Sequence, residues 1–299
     1  MTVERTDSPA AEGLIDPESG RRQANRTSVG RQIRVVSVVW RREVLIYLRD
    51  RARMVSAFTM PLVMMVIFGE GLGNTIGSLA PGVDYREFIF PGILAMSVIM
   101  TAMFGGTSVV MDREFGFLRE MLVSPASRTA ICLGKIFGGA TIASLNALVL
   151  FLLAPLIGIN LSLLNALELF AVLVLMSIML TSGGVALGTR LRTVESMQMV
   201  SQLIIFPSMF LSGVFFPVNN VPIWMEILVK INPVTYAVAP VRSAGLQNEL
   251  SNPMTGESVG AALHVEMFGH IFSTAEELLI VTGFGVLLLA LAVRGLQRN

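Results

Sequence analysis

The decisive stretch runs from 88 to 159: "FIFPGILAMSVIMTAMFGGTSVVM" (88–111), "DREFGFLREMLVSPASR" (112–128) and "TAICLGKIFGGATIASLNALVLFLLAPLIGI" (129–159). Two apolar runs, each longer than the ~20 residues that cross a hydrocarbon core, enclose one compact, charge-dense segment. The sequence as a whole agrees: of 299 residues, 53% are hydrophobic and 14% charged, and mean hydropathy is +0.69. A soluble domain carries nearer ~25% charged residues, so the composition excludes a soluble protein and predicts an integral membrane protein. The single cysteine, Cys132, excludes an internal disulfide and reads as a small buried apolar side chain.

Working outward, six stretches are long and apolar enough to span: 54–72, 88–111, 130–157, 166–188, 194–216 and 276–293. Lys and Arg set their direction. Nineteen of the 22 fall before the first span, in or just after 112–128, at Arg190 and Arg192, or after the last span. Only Arg86, Lys230 and Arg242 fall on the other side. Both termini and the 112–128 segment are therefore expected in the cytoplasm. Residues 1–28 are polar and rich in small side chains, with no apolar core of a signal peptide, and read as a disordered cytoplasmic tail.

Between tail and first span, residues 29–50 place Ile33, Val36, Trp40, Val44 and Tyr47 at helical spacing opposite arginines, which predicts a basic amphipathic helix on the cytoplasmic leaflet. On the outer side, "NNVPIWMEILVKINP" predicts a short amphipathic helix between Pro222 and Pro233, with Trp224 suited to a membrane interface. The fold expected is thus all-α, with six transmembrane helices, an N-terminal interface helix and a short external helix before the last span.

In 112–128, Phe115, Leu118 and Leu122 form one stripe, with Asp112, Arg113, Arg119 and Glu120 largely off it. The helix is expected to stop near Val123, with Ser124 as N-cap and Pro125 as first residue of the next. So much apolar surface on a cytoplasmic segment must be covered. The protein's own helices and a partner are both open as the cover.

The order of basic amphipathic helix, span, span, "DREFGFLREMLVSPASR" and span resembles the permease subunits of ABC type-2 exporters, the daunorubicin-resistance-like group in particular. "FPSMFLSGVFFPVNNVPIWMEILVKINPVTYAVAPVR" (206–242) is similar to that family's signature, and "RDRARMVSAFTMPLVMMVIFGEGLG" (49–73) to its first span. One departure is Ala239, where relatives often carry an acidic residue. The resemblance implies that residues 29–299 form a permease domain in a bacterial plasma (inner) membrane. It implies a second permease chain, identical or related, and a soluble ABC ATPase subunit that binds ATP and Mg, with no cofactor here and no nucleic-acid partner. It also implies a coupling helix seated on that ATPase, with Asp112, Arg113, Glu114, Phe115, Gly116, Leu118, Arg119, Leu122 and Trp40 at the contact. The substrate route would lie between two permease chains, lined by spans one, two and five. The cargo would be a hydrophobic or amphiphilic drug, antibiotic or lipid, with a lipid-linked polysaccharide or other envelope precursor as the alternative.

No ATP site is legible in the chain itself. In "SRTAICLGKIF", Thr129 stands where a P-loop needs its first glycine and Ile136 where it needs a hydroxyl. Lys135 there reads as an interfacial or interhelical charge. His264 and His270 read as ordinary surface, and no metal cluster or nucleophile triad is arguable, so no catalytic residue is expected. Candidates for the substrate route are Met96, Met100 and Met103 on span two, and Gln198, Ser201, Gln202 and Phe206 on span five. Glu70, Asn146 and Glu168 are further polar groups in or near spans. Gly134/Gly138 and Gly184/Gly188 are small-residue pairs for close helix approach, within the chain or between copies. An ion-coupled secondary transporter would need paired charges near the midplane, and none is well centred. A non-transporting scaffold would not need the polar residues of span five.

Overall fold

The computed structural model describes residues 17–72, 78–80, 83–116, 127–157, 159, 162–215, 221–246, 266–267 and 270–298. Six helices among these are long and apolar enough to cross a membrane: Arg51–Gly69, Glu87–Glu114, Arg128–Leu152, Leu163–Gly188, Val194–Leu211 and Thr274–Gln297. They fall on the six expected stretches, and the fold is all-α apart from two small hairpin pairings (Ser78–Ala80 with Val83–Asp84, Glu266–Met267 with His270–Ile271). Their starts follow from local chemistry. Asp50 caps span one, Ser162 caps span four, and Thr193 forms a reciprocal capping box with Ser196 at span five. Span three is capped by Ser127, whose side chain accepts from the Ala130 N–H at 3.2 Å, and not by Ser124 as expected.

Span two is the axis of the bundle. Buried residues make up 78% of its apolar window, against 22% for span five and 11% for spans one and six. Spans three and four pack directly on it. It tightens to a 3-10 turn at Phe104–Gly106, where span four crosses. A Cβ on Gly106 would stand 1.9 Å from the Gly184 carbonyl oxygen, and one on Gly184 would stand 2.3 Å from the Met103 carbonyl oxygen. Gly184/Gly188 therefore serves contact within the chain. The outward faces of spans one, five and six carry exposed Val55, Val66, Leu203, Leu279 and Leu287, an apolar surface suited to lipid or to another copy.

The N-terminal helix runs from Pro17 to Arg49, so it begins inside the stretch read as a tail. It packs along span three, in the same direction. Val39 and Glu43 fill the grooves left by Gly134 and Gly138, where a Cβ would stand 2.7 Å from each. Its buried face carries Val39 and Tyr47, while Ile33 is 65% exposed, so the helix is rotated from the face expected. Among the described residues between spans five and six lie two helices rather than one. Ile223–Ile231 is the short helix expected between Pro222 and Pro233. Pro233–Gly245 is a second, buried along nearly its whole length among spans two, four and six.

Candidate functional site

Asp112, Arg113 and Glu114 form the last turn of span two (Thr107–Glu114) rather than the first turn of a separate helix. Each reaches a different neighbour. The Arg42 guanidinium grips Asp112 in bidentate fashion (Nη2 to Oδ1 2.7 Å, Nη1 to Oδ2 3.1 Å), tying the N-terminal helix to span two. Arg113 donates to the carbonyls of Thr189 and Leu191, 2.9 Å each, at the end of span four. A cation suits that helix terminus, where carbonyls lack partners. Glu114 accepts from the Val194 N–H at 3.4 Å, in the first turn of span five, where an anion is favoured.

Behind Asp112 lies Lys135 of span three, with a fully buried side chain (0% exposed). Its ammonium meets Asp112 Oδ2 at 2.5 Å, Glu43 Oε1 at 3.0 Å and the Ser108 hydroxyl at 3.2 Å. Two cations and two carboxylates thus form one nearly closed cluster joining the N-terminal helix, span two and span three. Its hydrogen bond to Asp112 holds the Arg42 guanidinium above its ordinary range. Buried charges are tolerated when each is paired and hydrogen-bonded, and removing one partner leaves the others costly. The expected interhelical role of Lys135 is what the geometry has. Asp112, expected on the solvated side facing an ATPase, is instead buried, because its two cationic partners come from helices distant in sequence.

The helix of span two ends at Glu114. Phe115 ends the helix and is 66% exposed. Gly116 has φ +82°, a left-handed turn that other residues adopt at a cost. Leu118, Arg119 and Leu122 lie outside the described residues. On the far side of the segment, Arg128 donates to the Gln297 carbonyl at 2.6 Å, and Gln297 donates to the Thr129 hydroxyl at 3.4 Å, tying span three to the end of span six. Residues 117–126 are therefore bracketed by anchors that touch the N-terminal helix and spans three, four, five and six. Trp40 is 39% exposed, and its indole N–H donates to Thr141 of span three at 3.0 Å, so it also serves the seam between helices.

The residues proposed for a substrate route are divided. Met96 and Met103 are buried in the core (0% and 6% exposed), because they face the helices packed on span two. Met100 is half-buried, and with Phe104, Thr107 and Met111 it lines a face of the Glu114-side half of span two that the other described helices leave partly open. On span five, Gln198, Gln202 and Phe206 are exposed and Ser201 is buried. The Ser201 and Thr107 hydroxyls have no hydrogen-bond partner among the described residues. Asn146 is satisfied between helices, accepting from Tyr47 at 2.8 Å and donating to Thr101 at 3.2 Å. Among the described residues, no group of three or more His, Cys, Asp or Glu side chains could hold a metal ion. Sequence reasoning missed Arg42 and Glu43. Their signal was a charged pair on the otherwise packing-competent side of the amphipathic helix.

Comparison with known proteins now places the chain. It is 28% identical to a putative transport permease, ycf38, of Cyanophora paradoxa over 63% of this chain and 66% of that protein. It is 26% identical to the inner membrane transport permease YadH of Escherichia coli K12 over 68% of this chain and 80% of that one. It is 23% identical to the daunorubicin resistance ABC transporter permease protein DrrB1 of Streptomyces coeruleorubidus, over 81% and 84%. These relatives are transport permeases, and this chain is likewise a multi-pass membrane protein. The profile of the ABC-2 type transporter family matches residues 34–246, and the chain belongs to that family.

Proposed function

We propose that the chain is the membrane-spanning subunit of an ATP-driven exporter in the plasma membrane, working as a pair of permease chains with a separate ABC ATPase. One observation carries this reading: the last turn of span two, Asp112–Arg113–Glu114, is bonded to the N-terminal helix, span three and the span four–five turn. It leads straight into exposed Phe115. A push on the 115–126 segment therefore reaches several helices through short, charge-assisted bonds. The cargo is a hydrophobic or amphiphilic compound. Its path runs past the half-open face Met100–Phe104–Thr107–Met111 and the exposed Gln198, Gln202 and Phe206, closed on its other side by the second chain. Apolar walls with a few hydroxyl and amide groups fit a drug, antibiotic or lipid. Export of a lipid-linked envelope precursor uses the same machinery.

The test replaces Phe115 and Leu118 by alanine and measures two quantities together: permease abundance in the membrane, and ATPase recovered with it on purification. Normal abundance with reduced ATPase recovery or reduced transport is expected. Lower abundance with unchanged ATPase per folded permease would show that the stripe packs on the permease itself.

A further inference from the structure

Along span two, one stripe changes character. Met100, Phe104, Thr107 and Met111 follow one another at helical spacing on a face that the other described helices leave partly open. The same face continues toward Glu87 through Met96, Ile93 and Ile89, and there it is shut: these three are 0%, 1% and 1% exposed. The groove along span two is thus open over its Glu114-side half and closed over the other.

The end of span one supplies cover for the closed half. One turn after Pro61 the α-helix Arg51–Met64 gives way to a π-helix, Met65–Leu72, which lies against span two. Met64, Met65 and Phe68 pack on the core cluster that holds Ile89, Ile93 and Met96. The Phe68 ring stacks on Phe215, with centroids 5.5 Å apart and planes 29° apart, and Phe210 leans on Phe215 at 5.1 Å and 40°. The two sides of this stack are held differently. Gly213 turns the chain at φ +83°, and the Val214 carbonyl after it is seated on span two, where a Cβ on Gly92 would stand 2.2 Å from its oxygen. Phe215 therefore has a fixed base. Span one is loosely held, with 11% of its apolar window buried, and π-helical turns concentrate at functional sites. We propose that the π-helical end of span one is a movable strap and that Phe68, latched on Phe215, seals the groove. Cargo occupies the open half, and peeling Phe68 from Phe215 uncovers the Ile89–Ile93–Met96 half. Return of Met65–Leu72 to α-helical bonding shifts each hydrogen bond by one residue, which turns Phe68 relative to the helix before it and breaks the stack in one discrete step. The strap rests on the reading of this face as the cargo's path.

On a Cys132→Ala background, the full chain carrying Ile93→Cys is placed in lipid nanodiscs and reacted with a small thiol reagent. The same reaction is run on Leu173→Cys, a fully buried position of span four in the same core. Adding Phe68→Ala should speed modification at 93 by about tenfold or more, because opening of the strap limits access, and should leave 173 unchanged. No change at 93 would overturn the inference, since Phe68 is then not the cover. An equal rise at 173 would also overturn it, since loss of the ring then only loosens the core. If Ile93→Cys lowers the yield of folded chain, Ile89→Cys is read in its place with the same outcomes. A second variant asks whether the seal must open. With Phe68→Cys and Phe215→Cys joined by oxidation, ATP-driven uptake of a fluorescent amphiphile alongside the co-expressed ATPase should stop, and it should return on reduction. Uptake that continues with the bond formed would overturn the opening step. Absence of ATP-driven uptake in the parent chain would count against the proposed function instead, and the thiol rates would still decide the strap.

Discussion

Replacing Lys135 with methionine preserves length and apolar bulk while deleting one ammonium from the buried cluster. Asp112 keeps its bidentate partner Arg42, whereas Glu43, whose side chain is 11% exposed, loses the ammonium 3.0 Å away. Breaking a buried ion pair from one side costs about 3–5 kcal/mol. At about 2–4 °C per kcal/mol for larger domains, the apparent Tm of purified permease in detergent should fall by roughly 6–20 °C. The cluster also makes a sharper prediction through double variants. Asp112→Asn with Lys135→Met removes one charge of each sign, and it should lose less than the sum of the single variants by about 0.5–3 kcal/mol. Exchanging the two, Asp112→Lys with Lys135→Asp, should not rescue. The exchanged acid would face Glu43 and the exchanged base would face Arg42. Thermal unfolding followed by size-exclusion chromatography reads all four. Single-variant shifts under about 2 °C, or full rescue by the exchange, would refute the four-charge joint.

Gly138→Leu should force the N-terminal helix away from span three, since even a Cβ there stands 2.7 Å from the Glu43 Cβ. The cost is about 1–3 kcal/mol, seen as faster trypsin cleavage at Arg41 and Arg42 than in the parent. Gly116→Ala, at φ +82°, should cost about 1–2 kcal/mol. Transport per ATPase bound should fall while the complex still purifies intact, and unchanged transport would count against a defined turn at Gly116. On a Cys132→Ala background, cysteines at positions 20 and 120 should be shielded from impermeant reagent in intact cells and one at 255 labelled. Labelling at 120 from outside would reverse the orientation.

The spans were legible because hydropathy and length are direct consequences of bilayer thickness. The buried helix Pro233–Gly245 was not, because 13 residues cannot span and the family-like stretch "NPVTYAVAPVR" reads equally well as a loop. Its signal was the Asn232–Pro233 start, where the Asn232 side chain accepts from the Val234 N–H at 3.1 Å. The stripe Met96, Met100 and Met103 was misleading for a different reason. A helix apolar on every side carries no periodic mark of which face is enclosed, so only the neighbours tell Met100 from Met96. Asp112 illustrates the limit for charge. A lone acidic residue at a span's end defaults to solvent until the partners that bury it, here Arg42 and Lys135, are brought in by the fold.

The most direct test of the account is transport in inside-out vesicles containing the permease and a co-expressed ABC ATPase. Uptake of a fluorescent amphiphile into the vesicle lumen should require hydrolysable ATP, persist when ionophores collapse the ion gradients, and vanish when the ATPase's P-loop lysine is replaced. Uptake that survives without ATP and disappears with the ionophores would contradict it, and would assign the chain to gradient-driven transport instead.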